Sequence, residues 1–419
     1  MPIGSNRWML GASVPLLAVA QGRGDDSIGY AHEAYVEDHG RMNVQTDTVR
    51  AHVTLSPTAD FTLRGVYDGI SGATPIGAPA INQLTLINPR THSPVPPATI
   101  TGFTRPIDGV SGASPLTGAT SHNTIPLANS QDIRRGIDVS SGLTFGPSKF
   151  VPELSYSKER DYVSYGAALN YSIDLNDKNT TLNAGLSHAF DQVLSNEFTF
   201  LRHTAVKNTD DLILGLTQLL SPGTIVTANG TFSHAAGYLN DPYRGVVFDE
   251  SAINANAQVV LHGEKRPGSR DSQAIMVSLT QAVPRLNASV EGTYRYYHDS
   301  FGVMANTAGI TWLQKLGRRV TVAPSFRYYR QEAASFYGIQ FSGDPQNDPA
   351  RAPRFFSSDY RLSFLETFTL GIDATIKLHD HWNLQLGYQR YWMRGLDGVT
   401  LQSTYPRAHI YTIGLNFTY

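Results

Sequence analysis

The sequence predicts an all-β fold: a transmembrane antiparallel up-and-down β-barrel of about sixteen strands, with short periplasmic turns and long extracellular loops. Three observations predict it. The C-terminal strand sorts its residues by face, the same parity recurs upstream, and short connections alternate with long ones.

In the last strand His409, Tyr411, Ile413, Leu415, Phe417 and Tyr419 share one face. Ile410, Thr412, Gly414, Asn416 and Thr418 share the other. The first face is apolar with aromatic ends, as lipid requires; the second is small and mostly polar, as a lumen requires. A terminal aromatic on such a strand is also the kind of signal read by the outer-membrane insertion machinery.

Upstream, Trp382, Leu384, Leu386 and Tyr388 alternate with Asn383, Gln385, Gly387 and Gln389. The same holds for Val320, Val322, Phe326 and Tyr328 against Thr321, Ala323, Ser325 and Arg327. A helical period fits neither stretch, and period two is the signature of a strand with two unlike faces.

Tight turns follow Leu55, Phe145, Asp174, Leu220, Val283, Leu316 and Leu378, many marked by Pro, Gly, Asn or Asp. Between them lie mostly longer or irregular segments at 70–131, 191–209, 236–269, 332–359 and 394–407. Seven tight turns, with both termini on the periplasmic side, give about sixteen strands. A hairpin hidden in 191–209 or 236–269 would shift the count by about two.

Composition agrees. Of 419 residues 41% are hydrophobic and only 16% charged, and there are 21 Tyr, 18 Phe and 37 Gly. The formal charge of −2 implies no nucleic-acid partner. Cysteine is absent, which excludes disulfides, Cys-based metal sites and thiol nucleophiles. Arg7, the apolar run Trp8–Ala20 and Ala18-Val19-Ala20 before Gln21 read as a signal peptide over 1–20, leaving 21–419 as the barrel. Depth has one check: Glu366 shares the apolar face of Phe368, Leu370 and Ile372. Counted from the turn at His379, it falls beyond the outer boundary.

Segment 70–131 is rich in Pro, Gly, Ser and Thr, and is expected as a surface loop or one folded into the pore. Asp68-Gly69-Ile70-Ser71-Gly72-Ala73-Thr74-Pro75 nearly repeats as Asp108-Gly109-Val110-Ser111-Gly112-Ala113-Ser114-Pro115. A duplicated turn explains this; paired ligand contacts by Asp68 and Asp108 at the pore mouth are the sharper reading.

From about Asp132 to Tyr391 the chain resembles an uncharacterised bacterial outer-membrane family, domain of unknown function three-five-seven-zero. The stretches that carry the resemblance include Gly237-Tyr238-Leu239-Asn240-Asp241-Pro242-Tyr243, Arg266-Pro267-Gly268-Ser269-Arg270, Tyr294-Arg295-Tyr296-Tyr297 and Ser358-Asp359-Tyr360-Arg361-Leu362. The resemblance implies an outer-membrane barrel and supplies no activity or catalytic residues. Through the flavin-transferase and thioredoxin-like genes that often neighbour its members, it hints at a redox-linked task.

No phosphate-binding loop, His-Glu-x-x-His pair or Gly-x-Ser-x-Gly elbow occurs, so no enzyme is expected and no cofactor. His379-Asp380-His381 is expected as a solvated turn. His188, His203, His234, His262 and His298 fall near outer strand ends, where a rim hydrolase would set its residues. By parity Arg50, His52, Arg64, Asp68, Arg134, Asp138 and Glu153 face inward, as do Glu291, Arg295, Arg327, Arg361, Asp373 and Lys377. Most are expected to pair across strands. Arg295, Arg327 and Arg361, with Glu291, Tyr297 and Tyr329, are the expected constriction or ligand-contact cluster. The function this favours is a passive, porin-like channel for small polar solutes. A scaffold for a lipoprotein or periplasmic redox partner is the alternative, and outer-membrane lipid and lipopolysaccharide are the surrounding partners.

Overall fold

A computed structural model describes residues 26–75, 77, 86–87, 94–95, 127–195, 203–249 and 259–419. The expected signal peptide, Asp108 and most of the long segment 70–131 lie outside these residues.

Sixteen antiparallel strands close into one barrel. They are β1 (Ser27–Glu37), β2 (Met42–Ser56), β3 (Ala59–Pro75), β4 (Leu127–Phe145), β5 (Ser148–Lys158), β6 (Tyr162–Leu175), β7 (Thr180–Ser195) and β8 (His203–Ser221). The second half comprises β9 (Thr224–Gly237), β10 (Ser269–Val283), β11 (Ala288–Asp299), β12 (Met304–Leu316), β13 (Val320–Gln331), β14 (Leu365–Lys377), β15 (Trp382–Gly395) and β16 (Arg407–Thr418). Each strand pairs with the next in sequence, and β1 closes the ring on β16 from Ser27↔Thr418 to Glu37↔Ala408. Closure leaves no unpaired strand edge, which a bilayer requires because lipid offers backbone groups no hydrogen-bond partner.

All seven tight turns stand where the sequence puts them. The 175–178 turn is built from Asn176, Asp177 and Lys178, each at positive φ, a conformation Asn and Asp tolerate best among residues with a Cβ. At Gly317, φ is +68° and the turn faces open space.

The outer connections differ from the expected pattern. Those at 38–41, 159–161 and 300–303 are as tight as the periplasmic turns. Segment 191–209 is largely strand: β7 runs on to Ser195 and β8 begins at His203. Strand pairing also enters 70–131 from both ends, out to Pro75↔Leu127.

Large apolar side chains face out, with Leu154 66% exposed and Leu186 and Ile275 each 61%. Aromatic pairs bound this face. Toward the periplasm lie Phe150–Tyr171 (4.8 Å) and Trp382–Phe417 (4.7 Å). Toward the outside lie Tyr156–Tyr165 (5.3 Å), Tyr328–Phe368 (5.1 Å) and Tyr388–Tyr411 (5.4 Å). From Tyr411 to Tyr419, a strand tilted about 40° climbs roughly 21 Å, close to the apolar band of an outer membrane. Such a wall has only one solvent that suits it, and the chain is an outer-membrane barrel.

Outward charges begin immediately beyond the outer aromatics. Glu366 lies one step past Phe368 and pairs with Arg394 and with the Tyr328 hydroxyl at 3.0 Å. Arg390 grips Asp38 at 2.6 and 2.7 Å. His188 meets Asp210 at 2.7 Å and His234 meets Asp271 at 2.6 Å. Glu366 therefore sits outside the apolar band.

The remaining elements form a cap. Gly245–Asp249 pairs antiparallel with Val259–Gly263 and parallel with Gln340–Ser342. The hairpin hidden in 236–269 exists, but it belongs to this small sheet and not to the wall. Val246, Phe248 and Phe356 form one buried cluster; Phe301, Val303, Ala334, Phe336 and Leu362 form another. Leu86–Ile87 and Pro94–Val95 make a separate short pair.

Candidate functional site

Two layers meet at the outer mouth: a charge network inside the cap and an Arg/Tyr patch on the lumen wall below it.

The network joins Asp241, Arg244, Glu264, Arg266, Asp359 and Arg361, three acids and three guanidiniums. Arg361 Nη2 donates to Asp241 at 2.5 Å and to Asp359 at 2.6 Å. Arg266 Nη2 donates to Asp359 at 2.8 Å and to Glu264 at 3.0 Å. Arg244 donates to Asp241 at 3.3 Å and covers the Tyr360 ring at 5.6 Å. Burial pushes the Asp241 carboxyl up, but Arg244 and Arg361 outweigh it and hold it at about 2. Asp359 is also driven up by burial and held well below the usual range by Arg361 and Arg244. Glu264 goes the other way, because burial there outweighs Arg266. Such a network is costly to break, since removing one member strands a buried charge.

This network ties distant loops together. Arg244 Nη2 reaches Thr74 of β3 at 3.4 Å, and Tyr243 donates its hydroxyl hydrogen to Asp161 of the 159–161 turn. β3 and β9 stand six places apart in the ring. Sixteen strands about 4.8 Å apart and tilted about 40° enclose a mouth roughly 30 Å across, backbone to backbone. The segment after β9 therefore crosses most of the opening to meet β3. Tyr337 adds a bond to Thr400 at 2.6 Å, and Ser358 abuts Gly77.

Below, Arg295 and Arg327 face the lumen from β11 and β13, each over a tyrosine on its own strand. Arg295 lies 5.2 Å from the Tyr297 ring and Arg327 5.7 Å from the Tyr329 ring. Among the described residues neither has a carboxylate within ion-pair distance. In register, Arg327 lies opposite Thr369, and Thr369 opposite Tyr391. The Thr369 hydroxyl is buried and, among the described residues, has no hydrogen-bond partner.

Patch and cap are joined. Tyr329 donates to Gln331 at 2.6 Å, and Gln331 donates to the carbonyls of Arg361 and Ser363, both at 2.9 Å. Tyr297 donates to Asp299 at 2.7 Å, and Asp299 accepts the backbone N–H groups of Phe301 at 2.9 Å and Val303 at 3.0 Å.

Of the expected cluster, the structure brings Arg295, Arg327, Tyr297 and Tyr329 together. Glu291 stands four residues deeper on the face of Arg295. Arg361 is not on a strand: it occupies the short 3-10 turn Tyr360–Leu362, which the Asp359 carboxylate caps by accepting the Arg361 N–H at 3.1 Å. Its side chain belongs to the cap network. Asp68 lies within β3, buried and paired with Arg134. Similar cross-strand pairs stiffen the early wall, at Arg64–Asp138 (3.7 Å) and Asp60–Lys149 (2.8 Å). His379-Asp380-His381 is an exposed periplasmic turn in which His381 bonds the Thr418 carbonyl at 2.7 Å.

Sequence reasoning missed the cap acids Asp241, Glu264 and Asp359, and the trio Asp132, Glu159 and Asp161. One carboxylate oxygen from each of the trio lies within 4.8 Å of the other two. Burial, reinforced by Asp132 and Asp161, pushes Glu159 up to about 8. Asp241 and Asp359 stand in the very stretches that carried the family resemblance, which was the available signal.

The family described as a protein of unknown function, DUF3570, matches residues 9–404. Among solved structures, the chain is similar to a bacterial polysaccharide outer membrane secretin at 9% identity and TM-score 0.47, covering 95% of this chain and 100% of that one. It is also similar to a mutant ferric enterobactin receptor of Pseudomonas aeruginosa, at 9% identity and TM-score 0.44, covering 89% and 54%. It spans about half the length of that receptor. A loop-deletion form of OmpT, an outer membrane protein of Vibrio cholerae, matches at 8% identity and TM-score 0.41, covering 94% and 98%. No curated protein sequence matches.

Proposed function

We propose that this chain, which belongs to the DUF3570 family, is a passive outer-membrane channel for small polar solutes, gated at its outer mouth by the cap and favouring anions. The observation that carries this reading is the pair Arg295 and Arg327, set on the lumen wall without acid partners and backed by tyrosine rings. Guanidinium groups on aromatic faces suit a small anionic or aromatic solute. The unpartnered hydroxyl of Thr369 adds a polar contact at the same level. No chemistry is involved: selectivity comes from pore width and lumen charge.

Reversal potentials across a planar bilayer under a salt gradient test the proposal. The wild-type barrel should favour anions, and Arg295→Gln with Arg327→Gln should move selectivity toward cations at similar conductance. Currents with unchanged selectivity in the double variant would remove the patch from the account. A folded barrel that carries no current under any condition would favour the scaffold reading instead.

A further inference from the structure

We infer that the outer rim holds a calcium ion bound by Asp132, Glu159 and Asp161, on the side of the barrel opposite the Arg/Tyr patch. Asp132 comes from β4, and the other two from the tight turn between β5 and β6. Their ligand oxygens all lie within 4.8 Å of one another. Calcium holds oxygens at about 2.3–2.6 Å, so two ligands on opposite sides of one ion are about 4.6–5.2 Å apart. The three carboxylates therefore fit a single coordination shell.

Burial requires the arrangement to hold either a proton or a cation. Glu159 is 3% exposed and Asp161 6%. Glu159 Oε2 is buried and, among the described residues, has no hydrogen-bond partner, although its carboxylate faces the other two acids. An ionised carboxylate is strongly disfavoured in such a place unless it is paired or coordinates a metal. Among the described residues the nearby cations have carboxylate partners of their own: Arg134 pairs with Asp68, and Lys207 with Asp191 at 2.8 Å. Arg160 points its side chain to solvent and offers only its N–H, to Asp132 at 3.3 Å.

The donor set is all oxygen, which selects a hard cation. The turn is held in shape without the ion. Glu159 N–H bonds the Tyr162 carbonyl at 2.7 Å, and Leu194 N–H bonds that of Asp161 at 2.8 Å. Asp161 also receives the Tyr243 hydroxyl hydrogen, so the ion would brace the cap against the wall. This inference stands apart from the channel reading, because binding is read without any current.

The test is calcium titration of the folded full chain in detergent after chelation with EDTA, by calorimetry and by displacement of Tb³⁺ luminescence. Tyr162 and Tyr243 are near enough to sensitise the lanthanide. One calcium should bind per barrel, with a dissociation constant on the order of 0.1–1 mM. Glu159→Gln should weaken binding by about tenfold or more, and Asp132→Asn should act in the same direction. Asp132 is less buried, so its variant keeps the test open if Glu159→Gln does not fold. Asp380→Asn, in the exposed periplasmic turn, should bind as the wild type does. No saturable calcium uptake by the folded wild type would overturn the inference. So would Tb³⁺ emission that calcium does not displace, or an affinity the same in Glu159→Gln and Asp132→Asn as in the wild type.

Discussion

Leu214 on β8 and Phe248 in the cap are both large apolar side chains, placed in opposite ways. Leu214 is 48% exposed on the outer face of the wall, whereas Phe248 is fully buried between Val246, Phe341 and Phe356. The charged groups invert in the same way. The wall turns Arg64, Asp68 and Arg134 inward and pairs them across strands; the cap puts Arg244, Arg361 and Asp359 at its centre. Each region follows its own solvent. Lipid takes the apolar face of the wall, while water forces the cap to build an apolar core like that of a small soluble domain.

The comparison breaks most sharply at the charges. Arg361→Ala leaves Asp241 and Asp359 buried without the arginine they share at 2.5 and 2.6 Å, at a cost of about 3–5 kcal/mol. That cost should fall on the cap alone. Cap amides such as Lys265 and Phe356, which pair across the two loops at 2.9 and 2.8 Å, should lose roughly two to four orders of magnitude of hydrogen-exchange protection. Amides between β3 and β4 should keep theirs. Equal loss in both regions would mean that cap and wall are one cooperative unit.

On the wall the reverse substitution matters. Leu214→Arg puts a charge near the middle of the lipid face and should cost about 2–4 kcal/mol. The folded fraction in lipid vesicles should drop accordingly, with cap exchange unchanged in the molecules that fold. A variant as stable as the wild type would show that this face does not meet lipid.

The same contrast explains what the sequence revealed. The wall was legible because a strand between lipid and lumen must alternate, and because Ser56-Pro57-Thr58-Ala59 and its counterparts mark every periplasmic turn. The cap was not. Val246, Val247 and Phe248 form a strand buried on both faces, so they show an apolar run without alternation. Their parallel partner, Gln340–Ser342, is far away in sequence. Parity counted outward from β14 puts Arg361 in the lumen, but the Asp359 cap makes Tyr360–Leu362 a turn, and the strand's parity ends at Leu365. At Glu159-Arg160-Asp161 a short polar run reads as an ordinary turn, because Asp132, the residue that gives it meaning, lies on another strand.

A gated barrel is the central claim, and planar-bilayer conductance of the wild type beside Arg361→Ala at neutral pH tests it most directly. Small or intermittent currents are expected from the wild type, and larger, steadier currents from the variant whose cap has lost its central arginine. The same steady current from both would contradict a gate at the outer mouth, and silence from both would contradict the channel.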